Sequence, residues 1–244
     1  MADLLQVRAL TVRRAGRPVV TGVDLAVPEG SVTGLIGPNG AGKSTLMAAI
    51  GGRLAYEGSI RLAGQEVASD PWAARRAART AFVPSRANAG LTGTDYLRFL
   101  RAHRRAAYRP DAAERLTRAL GLDTALDRRI GTYSRGTARK LALLAAFAFE
   151  TPLVLLDETL DGLDHGALLT ARAFVRAEAA TGRSVLLASH AASLLSEWCD
   201  TVMLMREGGV AGALPGEPAG AAPGAIRDAI EALYATNAPG APRP

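Results

Sequence analysis

The sequence predicts an α/β fold: a mainly parallel sheet with a small N-terminal antiparallel β part and an inserted α-helical subdomain. Short, almost continuous apolar runs at 32–36, 153–156 and 185–188 are each followed by a helical pattern, as expected for parallel strands covered on both faces. Near the N-terminus apolar residues recur at every second position, as in Val23, Leu25 and Val27, which is typical of strands with one buried face.

We expect one domain that spans residues 1–244. The α/β core is assigned to residues 1–84 and 141–206, and residues 85–140, an arginine-rich block with apolar residues at helical spacing, form the helical subdomain. Residues 207–244 are rich in Gly, Ala and Pro and are interpreted as a linker-like tail. Within the tail, Pro223 is expected to open a short helix, with Ile226, Ile230, Leu233 and Tyr234 on one face.

Size and composition favour a soluble, cytosolic protein. The chain has 244 residues, 48% of them hydrophobic, which is enough to bury a full core. Its N-terminus lacks the basic start and apolar stretch of a signal peptide. The longest apolar run, Leu141–Phe149, has nine residues, less than half of the roughly 20 that cross a bilayer. The single cysteine, Cys199, suits a reducing compartment.

The positive charge is concentrated in the helical block. The net charge is +6, and between Arg86 and Lys140 there are 13 basic and five acidic residues. Such a region is compatible with a solvated face near a bilayer, an anionic membrane surface or nucleic acid. No aromatic residues interleave the charges in a base-stacking pattern, so we expect no nucleic-acid partner.

The strongest motif follows the apolar strand Val32–Ile36. Its sequence is Gly37-Pro38-Asn39-Gly40-Ala41-Gly42-Lys43-Ser44-Thr45, and a helix pattern starts near Leu46, which is the context of a P-loop. We therefore predict a P-loop NTPase core, in which backbone N–H groups face a phosphate at a helix N-terminus. Lys43 is expected to reach the β- and γ-phosphates, and the Ser44 hydroxyl to bind Mg²⁺. The predicted nucleotide contacts also include Gly37, Asn39, Gly40, Gly42 and Thr45.

A second buried strand, Leu153–Leu156, ends in two acids, Asp157 and Glu158. In a parallel sheet this end lies beside the P-loop, where Mg²⁺ needs a ligand. We assign Asp157 to the metal, through a water, and Glu158 to polarising the attacking water. The alternative is a strand that merely ends in a solvated acidic turn.

With these motifs in place, the sequence resembles the nucleotide-binding domains of ABC transporters over nearly its whole length. Tyr133-Ser134-Arg135-Gly136-Thr137 resembles the signature motif of that family. Asp161-Gly162-Leu163-Asp164 resembles its D-loop, and Leu187-Ala188-Ser189-His190 resembles the strand that ends in the switch histidine. These motifs, together with the P-loop and the two acids, occur in the order of the family.

The resemblance implies an ATP-binding and ATP-hydrolysing subunit with ATP and Mg²⁺ as cofactors. It implies that Ser134, Gly136 and the following helix N-terminus offer donors to a phosphate. It also implies that Asp164 belongs to the nucleotide site and that His190 contacts the γ-phosphate. A Ser-x-Gly helix cap and a lone histidine are also common as purely structural features.

The resemblance further implies partners. In the family the signature motif covers the ATP of a second subunit, so a homodimer, or a heterodimer with a related ATPase subunit, closes on ATP and opens after hydrolysis. A separate integral membrane permease subunit would hold the protein on the cytoplasmic, inner face of the cell membrane. Similarity in the region Tyr133 to Leu163 favours an exporter, by analogy.

Three positions depart from the family. Arg14 stands where an aromatic residue usually stacks on adenine, a role that a guanidinium can also perform. Ser85 replaces a glutamine that usually meets Mg²⁺ and the membrane subunit, and Asn88 is the residue that could take over that contact. Thr159 and Leu160 replace the usual Pro-Thr after the catalytic glutamate.

These departures keep two other interpretations open. The first is a degenerate nucleotide-binding regulator that hydrolyses ATP weakly. The absence of the usual glutamine at position 85 suggests it. The second is a soluble ABC ATPase that acts outside transport. It is less favoured because the chain has neither a second copy of the domain nor a long coiled-coil insertion.

Overall fold

The computed structural model describes residues 2–103, 106–216 and 224–229 of the chain. In chain order its elements are β1 (Asp3–Arg14), β2 (Arg17–Pro28), β3 (Val32–Ile36), α1 (Lys43–Ile50), β4 (Glu57–Leu62), β5 (Gln65–Glu66), α2 (Pro71–Ala77), β6 (Ala78–Thr80), α3 (Gly93–His103), α4 (Pro110–Ala119), α5 (Arg135–Phe147), β7 (Leu153–Asp157), α6 (His165–Ala180), β8 (Ser184–Ala188), α7 (Ala192–Trp198), β9 (Thr201–Arg206) and β10 (Gly209–Pro215). Short 3₁₀ turns occupy Arg86–Asn88 and Ile130–Thr132, and residues 225–229 are helical.

The larger sheet has six strands in the order β10-β9-β3-β8-β7-β6. β9, β3, β8, β7 and β6 are parallel, and β10 runs antiparallel to β9. All residues of β3 and β8 are buried, as predicted from their continuous apolar sequence. The carboxyl ends of β3, β8 and β7 therefore meet at one edge of the sheet, where the predicted site residues follow each strand.

The smaller sheet is antiparallel, in the order β2-β1-β4-β5, which confirms the predicted N-terminal β part. Its buried face and one face of the larger sheet enclose α1. Val7, Leu10, Val20, Leu46 and Ile50 belong to this apolar cluster and are fully or almost fully buried. This packing fixes α1, and with it the loop that precedes α1.

Helices cover the opposite face of the larger sheet. α5, α6 and α7 pack against the sheet, and α3 and α4 join the same apolar cluster through residues such as Tyr96, Leu100 and Leu116. α5 crosses the predicted boundary at residues 140 and 141, so the helical block and the core share one continuous helix. No helix within the described ranges is long and apolar enough to cross a membrane.

The interpretation of residues 207–244 as a linker-like tail was wrong for its first part, because Gly209–Pro215 forms β10. Glu207 and Gly208, with φ of 50° and 83°, make a two-residue turn that reverses the chain and pairs β10 with β9. Composition hid this strand, because its glycines and alanines give no alternating apolar pattern. Ile226 is buried, as expected for the tail helix, whereas Pro223, Ile230, Leu233 and Tyr234 lie outside the described residues.

Candidate functional site

The loop between β3 and α1 is shaped for an anion. A Cβ on Gly37 would lie 2.2 Å from the carbonyl oxygen of Met205, and Gly42, the N-cap of α1, has a φ of 102°, so both positions require glycine. Asn39, Gly40 and Ser44 are exposed. Among the described residues no side chain caps α1. Its first N–H groups are therefore available to a phosphate.

Lys43 supplies the cation of this loop. Its side chain is buried, and Nζ donates hydrogen bonds to the carbonyl oxygens of Gly37, at 2.7 Å, and Pro38, at 3.2 Å. The ammonium is thus held against the loop by neutral acceptors. A phosphate oxygen entering the loop would give this charge an anionic partner, which is a stronger interaction.

Ser44 and Asp157 meet at the sheet edge, as the metal assignment requires. The Ser44 hydroxyl donates to Asp157 Oδ1 over 3.0 Å. Ligands about 2.1 Å from a Mg²⁺ ion in octahedral geometry lie roughly 3 Å apart. The hydroxyl and the carboxylate are therefore already spaced as neighbouring ligands, or as holders of the metal-bound waters.

Glu158 lies beside two other potential ligands, Asp161 and His190. One side-chain atom of each residue lies within 4.8 Å of the other two. Glu158 has a φ of 50°, rare for a residue with a side chain, and its N–H donates to the Ala188 carbonyl oxygen. Strained backbone of this kind is common at functional sites, and here it follows directly on β7.

Asp161 contacts two residues of the segment after β8, Ser189 and His190. Its Oδ1 accepts a hydrogen bond from the Ser189 hydroxyl at 2.9 Å, and its Oδ2 lies 3.1 Å from His190 Nδ1. The His190 side chain is 62% exposed, so the ring can turn towards a phosphate. Asp161 belongs to the segment that resembles the D-loop, and the sequence predicts no role for it.

The signature-like segment lies at the start of α5. Ser134 is the N-cap, with Oγ accepting from the Thr137 N–H at 3.1 Å. A Cβ on Gly136 would lie 3.7 Å from the Gly162 carbonyl oxygen, so this segment adjoins the D-loop. Ser134 therefore has a structural role in this chain, while its oxygen and the helix N-terminus remain exposed.

Asp164 caps α6 and ties it to α5. Its Oδ1 accepts from the Ala167 N–H at 2.8 Å, and its Oδ2 pairs with Lys140 Nζ at 3.1 Å. The Ala167 N–H, followed by Lys140, holds the pKa of the Asp164 carboxyl below its ordinary value. These contacts give Asp164 a capping role, and its predicted place in the nucleotide site stays a prediction.

Arg14 ends β1 and is exposed. It lies directly across the hairpin from Arg17, a second exposed guanidinium that belongs to no sequence motif. A base could stack on either side chain. The pairing depends on the position of the turn, which the sequence pattern did not locate.

Ser85 and Asn88 are hydrogen-bonded to each other. Asn88 Oδ1 accepts from the Ser85 N–H at 3.1 Å and from the Ser85 hydroxyl at 3.3 Å, at the start of a 3₁₀ turn.

Arg53 lies close to the segment before this turn. Its guanidinium stacks on Phe82, with 4.5 Å from the guanidinium carbon to the ring centre. Burial lowers the pKa of Arg53, opposed by the attraction of Asp157, so Arg53 is a cation near the metal pair that no sequence motif identified.

The comparisons with known proteins agree on one family. The family described as ABC transporter matches residues 20–161. The daunorubicin/doxorubicin resistance ATP-binding protein DrrA of Streptomyces peucetius is 35% identical over 80% of this chain and 60% of its own length. The hemin import ATP-binding protein HmuV of Streptomyces coelicolor is 35% identical over 84% of this chain and 76% of its own length.

Other relatives extend well beyond the matched region. The human phospholipid-transporting ATPase ABCA7 is 37% identical over 84% of this chain, which spans only 10% of ABCA7. Among solved structures, an ATP-binding subunit of an ABC transporter has a TM-score of 0.81 and 26% identity, over 93% of this chain and 99% of that one. The likeness therefore covers both the sequence and the fold.

Proposed function

The chain belongs to the ABC transporter family, as an ATP-binding domain, and we propose that it binds and hydrolyses Mg²⁺-ATP to drive a separate membrane subunit. The observation that carries the proposal is the convergence at one sheet edge of Lys43 on the anion loop, the Ser44–Asp157 pair and Glu158. Phosphoryl transfer depends on positioning and charge stabilisation, and these residues supply both.

The chain's own groups divide the work. The backbone N–H groups of the loop and Lys43 hold the β- and γ-phosphates. Ser44 and Asp157 fit Mg²⁺, which would neutralise charge developing on the phosphates. Glu158 accepts a proton from the attacking water as general base. His190, at the end of β8, contacts the γ-phosphate, and Asp161 positions its ring.

We place the working unit in a dimer on a membrane protein. Residues 85–140 act as a helical subdomain that presents Ser134 and Gly136 to the ATP of a second subunit, either an identical chain or a related ATPase. This arrangement places the protein in the cytoplasm, at the inner face of the membrane. A resistance protein and a hemin importer are equally similar to it, so export rests on the motif resemblance.

A groove between α2 and α3 is the surface that we assign to the permease. It encloses about 770 Å³, and Trp72 and Phe99, which line it, are 69% and 48% exposed. Its wall contains Arg75 and His103 among several basic residues and a single acid, Asp70. The occupant that fits is an amphipathic helix with acidic residues in a cytoplasmic loop of the permease.

If this assignment holds, Trp72→Ser combined with Phe99→Ser should lower recovery of the co-expressed permease at least about tenfold, since exposed aromatic anchors dominate such interfaces. The measurement is affinity purification from detergent-solubilised membranes. Leu169→Ser is the matched control, because Leu169 is 54% exposed on α6, outside the groove. Equal recovery with both variants would place the permease elsewhere.

A steady-state assay of the purified chain with Mg²⁺-ATP tests the function itself. We expect hydrolysis in the wild type and none above background in Lys43→Ala, which removes the cation of the anion loop. Ser85→Gln should raise kcat several-fold and leave the nucleotide Kd nearly unchanged, because a glutamine restores reach towards the metal. ATP binding without turnover in both wild type and Ser85→Gln would favour a nucleotide-binding regulator.

A further inference from the structure

We propose that Glu158, Asp161 and His190 form a binding site for a transition-metal dication, with Zn²⁺ as the best-fitting ion, distinct from the Mg²⁺ position at Ser44 and Asp157. Two carboxylates and one imidazole are the donors, and one atom of each lies within 4.8 Å of the others. Imidazole suits Zn²⁺, whereas Mg²⁺ prefers oxygen ligands alone. The donor set therefore selects against the cofactor of the ATPase reaction.

The separation between His190 and Asp161 fits a shared ion. Donor atoms about 2.1 Å from one metal lie roughly 3.0–3.4 Å apart in octahedral or tetrahedral geometry. His190 Nδ1 and Asp161 Oδ2 are separated by 3.1 Å. Glu158 is only partly buried, and one of its carboxylate oxygens lies within 4.8 Å of the donor atoms of the other two residues.

The surroundings of the Asp161 carboxylate are consistent with a metal ligand. Its Oδ2 is buried and, within the described chain, has His190 Nδ1 at 3.1 Å but no hydrogen bond of acceptable geometry, although a buried carboxylate oxygen normally accepts one. The other oxygen, Oδ1, is fixed by the Ser189 hydroxyl. That bond orients the carboxylate as an outer-shell partner orients a metal ligand, and it aims Oδ2 at the space shared with His190.

Occupancy has a consequence for turnover, and this part rests on the proposed function. A Zn²⁺ ion on Glu158 withdraws the carboxylate that polarises water, and the same ion holds His190 away from the γ-phosphate. The metal would thus arrest the nucleotide-free subunit before hydrolysis. Removing the metal with a chelator would restore turnover.

Isothermal titration of ZnCl₂ into the nucleotide-free, untagged chain tests the site without reference to hydrolysis. We expect one Zn²⁺ per chain, at least a tenfold loss of affinity in Asp161→Asn and in His190→Ala, and retention of binding in excess Mg²⁺. His165→Ala is the matched control, because His165 is exposed on α6 outside the cluster, and its affinity should equal that of the wild type. Circular dichroism verifies that each variant is folded.

No Zn²⁺ uptake by the wild type, or unchanged affinity in both Asp161→Asn and His190→Ala, would overturn the proposal. A loss of affinity in His165→Ala as large as in His190→Ala would also overturn it. Zn²⁺ binding by a chain that never hydrolyses ATP would keep the metal site and refute the proposed function. ATP hydrolysis by a chain that takes up no Zn²⁺ and is insensitive to it would keep the proposed function and refute the metal site.

Discussion

Glu158→Gln should lower ATP turnover by about 100-fold or more and leave ATP binding intact. The amide keeps the shape of the side chain but cannot accept the proton of the attacking water, and loss of a general base typically costs this much. Lys43 and the Ser44–Asp157 pair, which hold the phosphates and the metal, are unchanged by the substitution. Binding and chemistry should therefore separate in this variant.

Single-turnover hydrolysis and size-exclusion chromatography with Mg²⁺-ATP measure the two consequences. Because ATP is bound but not cleaved, the variant should accumulate as an ATP-bound dimer. Glu197→Gln is the matched control, since Glu197 is an exposed carboxylate on α7 that pairs with Arg172. Turnover close to that of the wild type, or a variant that stays monomeric at high concentration with ATP, would remove Glu158 from the role of base.

The sequence predicted those parts of the site that are contiguous in the chain. The P-loop and the acids after β7 each follow a buried apolar strand, and in a parallel sheet the ends of such strands meet at one edge. The hydrophobic pattern and the expectation of a parallel sheet were therefore enough to predict that Ser44 would lie near Asp157, and their side chains are 3.0 Å apart. Short motifs predict which residues meet at the sheet edge because the backbone of the parallel strands brings their ends together.

Contacts between distant segments were beyond the sequence pattern. The contacts of Asp161 with Ser189 and His190 join two loops, and the stacking of Arg53 on Phe82 joins the segment after α1 to the segment after β6. β10 was missed because glycine and alanine give no alternating pattern, and its pairing comes from the turn at Glu207 and Gly208. In each case a side chain or turn acts through tertiary position, which periodicity does not encode.

A buried network of charges was also not predicted from the sequence pattern. It connects the predicted helical subdomain, residues 85–140, to the α/β core. Glu178 on α6 accepts from Arg109, at the N-cap of α4, over 2.5 Å and from Arg183 over 2.9 Å. Arg183 also donates to the carbonyl oxygens of Phe149 and Thr151, just after α5. Glu178 and Arg183 have side-chain exposures of only 5% and 7%, so these charges depend on one another.

Glu178→Gln should therefore lower the free energy of unfolding by about 3–5 kcal/mol, the usual cost of removing one partner from a buried ion pair. The amide leaves the buried Arg183 without its hydrogen-bonded carboxylate and presents an N–H group to guanidinium donors. Urea unfolding at neutral pH, with the slope compared between variants, measures the loss. Glu114→Gln is the matched control, because the Glu114–Arg118 pair on α4 is exposed and such pairs contribute about 0–1 kcal/mol.

The same network predicts how this difference depends on pH. Burial raises the pKa of the Glu178 carboxyl, but the hydrogen bonds and charges of Arg109 and Arg183 outweigh it and leave the pKa below its ordinary value. A carboxyl with a lowered folded-state pKa stabilises the protein above the unfolded-state pKa, about 4.3 for glutamate. That stabilisation disappears as the pH falls through the lowered value. The gap between wild type and Glu178→Gln should accordingly be full at neutral pH and shrink in acid, whereas a gap that is constant with pH would show that packing, and not the charge of Glu178, joins α4 to α6.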